Sequence, residues 1–576
     1  MLRMLVAVCM VSAICGTALA GSGVKFIGHS WDTTIVTPEE ILENADAFAE
    51  TGLDGVTICL GGSRADGGTY AHDHIMDDEA WTREMLRPRL GTVRALVARK
   101  GLGESLAFFL LAPRKHIRWD DDAAWARIAG NVGTLAWFAR ESGLKGFFAD
   151  IEDYFKIRQF FIGRGDEGIA PDRLRQLARK RGAEVFGALY VAHPKAKVVF
   201  SWILTSLVER YAHARDPRET MRLCGDLWPA FFNGMLDVLP EGVTFTDGDE
   251  GTYRAEAERG EFYQRAYEQL RGVLPLVEDS NRTKYLSALQ PGAGFYLDMF
   301  VNPEGSRWYS APAEDGSRLS HLERNLLQAQ AVAGEYVWIY GERRCWVPWK
   351  NTGHSRIWAS GHFKDLMPKG RPTWNDALPG FNEMLRSVRD PDGFMRERLT
   401  ELRASGSPGN LVVDGDCERM CVGLSGGFAE KTLPKAFRTR QDPKRAQGRF
   451  GVDPHGGVGG GGAIGMSGVG SGTIRFDVPV EPGVLYATGV SLKGPGLAYV
   501  YWKHGDTDLE ESEGRICLRI GMTGADGWRR DEAAVRVPLA ANVLTFEVVA
   551  AQKPDETTLA DDFLVVRLTK ERKDGK

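Results

Sequence analysis

The sequence predicts an α/β protein, a (β/α)8 barrel followed by an all-β module. Between residues 24 and 403 short apolar, β-rich runs alternate with longer helical patterns, as βαβ units around a parallel sheet do. Eight such runs occur, at 24–28, 54–60, 105–111, 145–149, 197–204, 242–246, 284–289 and 336–340. No GxGxxG turn follows any of them, so a closed barrel fits better than an open doubly wound sheet. Near Ser405-Gly406-Ser407-Pro408-Gly409 helical periodicity gives way to short alternating strands such as 473–478, 484–491 and 542–549.

Taken in order, residues 1–20 read as a secretory signal: Arg3, an apolar run from Met4 to Cys15, and Ala18-Leu19-Ala20 as the cleavage site. A secreted or periplasmic protein is expected. The barrel then spans 21–403, a linker 404–409 and the β module 410–576. In the first helix Thr37 caps, Pro38 takes the first turn, Glu40 completes a capping box, and Ile41, Ala45 and Phe48 line one face before Gly52. Further helices are expected at 122–142, 171–192, 217–239, 253–272, 318–334 and 374–389.

A length of 576 residues exceeds one core's usual size, so at least two domains are expected. With 72 basic against 77 acidic side chains and no long basic run, nucleic acid is not expected as a partner. Nothing after the leader reaches the roughly 18–20 apolar residues of a membrane span. Cys59, Cys224, Cys345, Cys417, Cys421 and Cys517 are too scattered for a disulfide scaffold or a zinc site, Cys421 with Cys517 being the one pairing entertained.

The most informative stretch is GFFADIEDYF, residues 146–155, where an apolar strand runs into Asp150, Glu152 and Tyr154. Paired carboxylates resist double ionisation, so one holds a proton near neutral pH, as a glycosidic oxygen requires in order to leave. Active sites of such barrels gather at strand C-termini. Strand one exits into His29, Trp31 and Asp32, and strand five ends around Trp202. Strand six is followed by Asp247, Asp249, Glu250 and Tyr253, and strand eight by Glu342 and Trp346. Aromatic faces stack on sugar rings while carboxylates grip hydroxyls and hydrolyse. Glu152 is expected as general acid, with Asp150 raising its pKa, while Glu250, Asp249 and Glu342 can each serve as nucleophile or base. No cofactor is needed for such chemistry. The loop 61–79 carries His72, Asp73, His74, Asp77 and Asp78, a weaker candidate metal site without a distant third ligand.

GFFADIEDY resembles the strand-four signature of secreted glycoside-hydrolase barrels, including the DxE end of the family-18 chitinase motif, where the Glu is the acid. The chitinase pattern has a further Asp where this chain has Phe148. Together with WDTTIVTPEE, TGLDGVTI, TDGDEGTY and YVWIYGE the resemblance is to bacterial glycoside-hydrolase-like barrels over most of 24–350. NLVVDGDCE (410–418) and ADDFLVVRL (560–568) resemble the opening and closing strands of jelly-roll carbohydrate-binding modules of families four and nine. That resemblance implies a structural calcium at Glu418 and Asp562, with Asp416 as a further ligand, and Tyr499, Tyr501 and Trp502 as candidate sugar-binding aromatics. Cys417 replaces the usual aromatic. Two functions follow: a glycoside hydrolase of poly- or oligosaccharides, or a non-catalytic carbohydrate-binding protein on the same scaffold.

Overall fold

The computed structural model describes residues 23–60, 75–163, 165–211, 215–350, 370–406, 409–509 and 515–569. The expected signal segment, His72, Asp73, His74 and part of the linker lie outside them. The chain forms two compact units, Ser22–Arg389 and Asp390–Lys573.

The first unit is built on nine strands: β1 (Lys25–Ser30), β2 (Gly55–Ile58), β3 (Leu106–Leu110), β4 (Gly146–Asp150), β5 (Lys197–Phe200), β6 (Phe245–Asp247), β7 (Leu289–Pro291), β8 (Ala293–Tyr296) and β9 (Tyr336–Gly341). They form one parallel sheet in the order β7-β6-β5-β4-β3-β2-β1-β9-β8, nearly barrel-shaped. The two sheet ends, β7 and β8, are consecutive in the chain and separated by Gly292 alone. A Cβ at Gly292 would lie 2.6 Å from the Asp247 carbonyl oxygen and 3.1 Å from that of Tyr336, so the backbones of β6 and β9 leave no room for a side chain there.

The segment 284–289, expected as a strand, is instead mostly helix (Arg282–Ala288), and the strand residues follow it. Its Tyr and Leu content suits a strand, yet Tyr285 and Ala288 bury one helical face. The expected helix 217–239 breaks at Gly225, which has φ +78°, into Pro217–Cys224 and Trp228–Val238. The expected helix 253–272 is a run of short turns around Glu261–Tyr267, and 374–389 divides into Trp374–Ala377 and Phe381–Arg389. The Thr37–Glu40 capping box forms, with Thr37 Oγ1 accepting the Glu40 amide at 3.2 Å.

Alternation along the strands sorts the core. Ile27, Leu106, Phe108, Phe148, Val199, Tyr336 and Trp338 pack together as one buried cluster within the sheet, while Phe26, Phe109, Phe147 and Ile339 join the larger core formed with the helices. The indole Nε1–H of Trp338 donates to the Gly248 carbonyl at 2.8 Å, linking β9 to the segment leaving β6.

The second unit opens with the helix Pro391–Ala404, whose Phe394, Met395 and Leu399 pack on Leu485, Ala487, Ala534, Val566 and Leu568. This contact draws the helix into the second unit, whereas composition alone puts the seam after residue 403. Two antiparallel sheets follow. Thr557–Arg567 and Leu485–Lys493 are central to one, and Gly472–Pro479, Val543–Ala550 and Leu497–His504 to the other. Phe476, Phe546 and Phe563 pack against one another in their shared core. Cys421 and Cys517 are both free thiols, so the entertained disulfide is absent.

Candidate active site

Asp150 ends β4 two residues after inward-packed Phe148, and is 5% exposed. Its Oδ1 accepts the Glu152 amide at 2.9 Å and the Ser201 hydroxyl at 3.2 Å, and its Oδ2 accepts the Tyr154 hydroxyl at 3.0 Å. Burial pushes its carboxyl up to about 6, the Glu152 charge adding to the rise and the three hydrogen bonds opposing it. Asp150 is the buried member of the pair, and Glu152 lies exposed on the loop beyond the strand. The cause is local, because an Asp side chain that caps the amide two residues on ends the extended run at itself.

Beyond β6, Asp247 and Asp249 are both fully buried. Asp247 Oδ1 accepts the amides of Ile203 and Asp249, each at 3.1 Å, and burial together with the Asp249 charge raises its pKa. Asp249 sits in the left-handed region at φ +40°, with Arg265 Nε 2.8 Å and Gln269 Nε2 3.1 Å from its Oδ2. The Glu250 amide donates to the Ser201 carbonyl at 3.0 Å, setting the exits of β5 and β6 side by side. Its side chain lines a hollow of about 420 Å³ with Trp202, Tyr253, Arg254 and Trp308. Burial, and then the charges of Glu152 and Asp150, push the Glu250 carboxyl up to about 8.

Glu342 accepts the Tyr340 hydroxyl at 3.0 Å, and its amide donates to Asp298 Oδ2 at 2.7 Å. Asp298 is fully buried just beyond β8, and burial raises its pKa. Sequence reasoning passed over it because strand seven was sought too early. A carboxylate two residues past Phe295-Tyr296 was the available signal. Beneath these acids lies an aromatic floor: His29 stacks on Phe148 at 4.7 Å and on Tyr340 at 5.4 Å, and Tyr253 and Tyr296 stack on Tyr340. His29 Nδ1 lies 2.8 Å from Thr57 Oγ1.

Other expected rim residues lie elsewhere. Asp32 is buried, accepting the Ser30 hydroxyl, the Trp346 amide at 2.8 Å and Trp349 Nε1 at 3.0 Å, and so ties the exits of β1 and β9 together. Trp346 is itself 2% exposed and packs on Phe381, while Trp31 is half-buried against the core. Trp202 borders both the Glu250 hollow and a neighbouring one of about 170 Å³ that includes Ile151, Phe160 and Trp228. Of the loop metal candidates, Asp77 and Asp78 are described, and Asp78 pairs with Lys115 and Arg127.

In the second unit Glu418, Asp416 and Asp562 line one hollow of about 710 Å³. Glu418 Oε1 accepts the Gly462 amide at 2.9 Å, and Asp562, at φ +51°, accepts the Ser491 hydroxyl at 3.4 Å. Buried Asp561 accepts the Val458 amide at 2.9 Å, and burial pushes it up to about 6, with the Asp562 and Glu418 charges adding. Among the described residues no group of three or more His, Cys, Asp or Glu side chains is gathered as a metal ion would need. Trp502 is buried in the core, whereas Tyr499 and Tyr501 are half-buried, under Arg515 and beside Arg475.

No protein-family model and no curated protein matches the chain. Several solved structures align with part of it. The bacteriophage CBA120 tailspike protein 4 enzymatically active domain shares 10% identity over 27% of this chain at a TM-score of 0.21, and the match spans 21% of the tailspike chain. TmCBM61 in complex with beta-1,4-galactotriose shares 14% identity over 27% of this chain and 98% of its own, at 0.20. The CBM22-1-GH10 modules of the Clostridium thermocellum endo-1,4-beta-D-xylanase 10B share 13% identity over 24% of this chain and 27% of their own, at 0.19. Likenesses this faint assign no function. No described helix is long and apolar enough to cross a membrane.

Proposed function

We propose that the chain is a secreted glycoside hydrolase on a (β/α)8 barrel, β7 and β8 being halves of one strand, with Glu250 as proton donor and ionised Asp150 as its partner. One observation supports this reading above the rest: two carboxyls at neighbouring strand exits are driven apart, Asp150 to about 6 and Glu250 to about 8. Between those values one is charged and the other protonated, the division of labour that glycosidic cleavage requires. Glu152 then acts through its charge, keeping the proton on Glu250. Glu342, partly exposed beyond β9 and positioned by buried Asp298, suits a sugar hydroxyl, and the Tyr340 cluster suits the apolar face of a ring. Whether Asp150 attacks directly or activates water depends on the separation of the two carboxyls.

The second unit is, on this reading, a jelly-roll carbohydrate-binding module. A structural calcium beside Glu418 and Asp562 would need backbone oxygens as well, since no three acidic side chains are gathered there among the described residues.

Release of reducing ends from a broad glycan panel tests the proposal. Wild type is expected to cleave at least one glycan, and Glu250→Gln to bind that glycan without cleaving it. Binding without cleavage by wild type would favour the non-catalytic reading, for which the full engagement of Asp150 by three donors already speaks.

A further inference from the structure

The hollow beside Glu250 is lined by two acids, Asp249 and Glu250, and two cations, Arg254 and Arg265. Asp249 is neutralised by Arg265, which also reaches Glu268 at 3.2 Å. Arg254 closes the short helix Glu250–Arg254, so it lies one turn from the proposed proton donor and lines the same hollow. Its guanidinium lies over the Trp308 ring at 4.4 Å, with a 3.4 Å hydrogen bond to the Arg307 carbonyl, and makes no ion pair among the described residues. Arg307, exposed, lies over the same ring at 5.7 Å and likewise makes no ion pair among the described residues. Stacking on an indole fixes the plane of a guanidinium while leaving its N–H edge open, the presentation that suits a planar or tetrahedral oxyanion. Among the described residues Arg254 thus presents a cation without an ion-pair partner inside the hollow, and Arg307 a second one on the Trp308 ring that borders it.

We propose that Arg254 and Arg307 receive an anionic group, a uronate carboxylate or a sulfate ester, on the sugar residue bound beside Glu250. The inference rests on the hydrolytic reading of that site and narrows its substrate to acidic saccharides. Trp308, in ring contact with both cations and close to Tyr253 and Tyr296, then serves as both their platform and a wall of the sugar subsite.

The full-length Glu250→Gln protein is titrated calorimetrically with acidic oligosaccharides of two kinds, uronates without sulfate (polygalacturonate, alginate, glucuronoxylan fragments) and sulfated neutral galactans. Carboxyl-reduced or desulfated versions of the same fragments serve as references. Expected is binding to at least one acidic fragment, weakened at least about tenfold by removing its charge and by the double change Arg254→Ala with Arg307→Ala, since each guanidinium supplies a charged hydrogen bond. The affinity should also fall with salt, which a merely structural role of Trp308 would not produce. The kind of fragment that binds separates carboxylate from sulfate. Binding confined to neutral glycans, binding to neither kind, or acidic binding unchanged in the double variant overturns the proposal. Acidic fragments that bind in this way but are never cut by wild type would sink the hydrolase reading and leave this one standing.

Discussion

Arg265 clamps Asp249 through both its Nε and Nη2, the Nε contact at 2.8 Å, in a site where the carboxylate is fully buried and the guanidinium nearly so. Removing the cation strands a charge among Asp247, Asp249 and Glu250. Arg265→Met should cost about 3–5 kcal/mol of stability, read from denaturant unfolding of the full chain. A loss below about 1 kcal/mol, the level of an exposed pair, would mean that Asp249 finds another partner.

The pH dependence follows from the two proposed acids. Asp150 must be ionised and Glu250 protonated, so kcat/KM should rise through about 6 and fall through about 8. Ser201 and Tyr154 hydrogen-bond the charged form of Asp150, so Ser201→Ala or Tyr154→Phe should move the rising limb to higher pH. A flat profile across both values would refute the assignment.

Glu152 distinguishes two placements of the proton. With Glu250 as donor, Glu152→Gln removes a neighbouring negative charge, so turnover persists and both limbs move to lower pH. Abolished turnover with intact binding would return the donor to Glu152.

The helices Pro171–Ala192 and Trp228–Val238 approach through reciprocal glycines. A Cβ at Gly182 would lie 1.9 Å from the Phe231 carbonyl oxygen, and one at Gly234 1.9 Å from that of Arg179. Either Gly→Ala change should destabilise by about 1–3 kcal/mol through forced separation of the helices, seen as a lowered Tm. An unchanged Tm would show that the pair can slide apart freely.

In the second unit Asp561 is lifted to about 6 by burial. A carboxyl raised above its unfolded value favours the fold while protonated, so this contribution is complete below about pH 4 and is lost as pH rises through about 6. Asp561→Asn should remove that slope from Tm against pH. Should calcium occupy the position, adding it to wild type should raise Tm more above pH 6 than below pH 4; a slope that survives the substitution would point elsewhere.

Much of the first unit was legible because each signal was local. Apolar runs at β1 to β4 and at β9, and Thr37 with Glu40, needed only their own neighbours. The strand expected at 284–289 was misplaced because β7 and β8 are three and four residues long on either side of Gly292, too short for any period to register. With it went Asp298. The carboxylates of GFFADIEDYF were found, but which of Asp150 and Glu152 is buried was not legible, since it depends on Ser201 beyond β5 and on a turn made by Asp150 itself. Arg254 and Trp308 were missed because they meet across more than fifty residues, at no strand end.

The meeting of two sheet edges at a lone glycine has a mechanical corollary. A single residue joins the neighbours of β6 and β9, so slack introduced there would leave the alignment of the flanks bearing Glu250 and Glu342 to cross-links such as Trp338 to Gly248 and Thr252 to Gly294. Lengthening the chain at that point ought to disturb the proposed turnover long before it unravels the molecule, making the junction a tuning peg for the spacing of the rim.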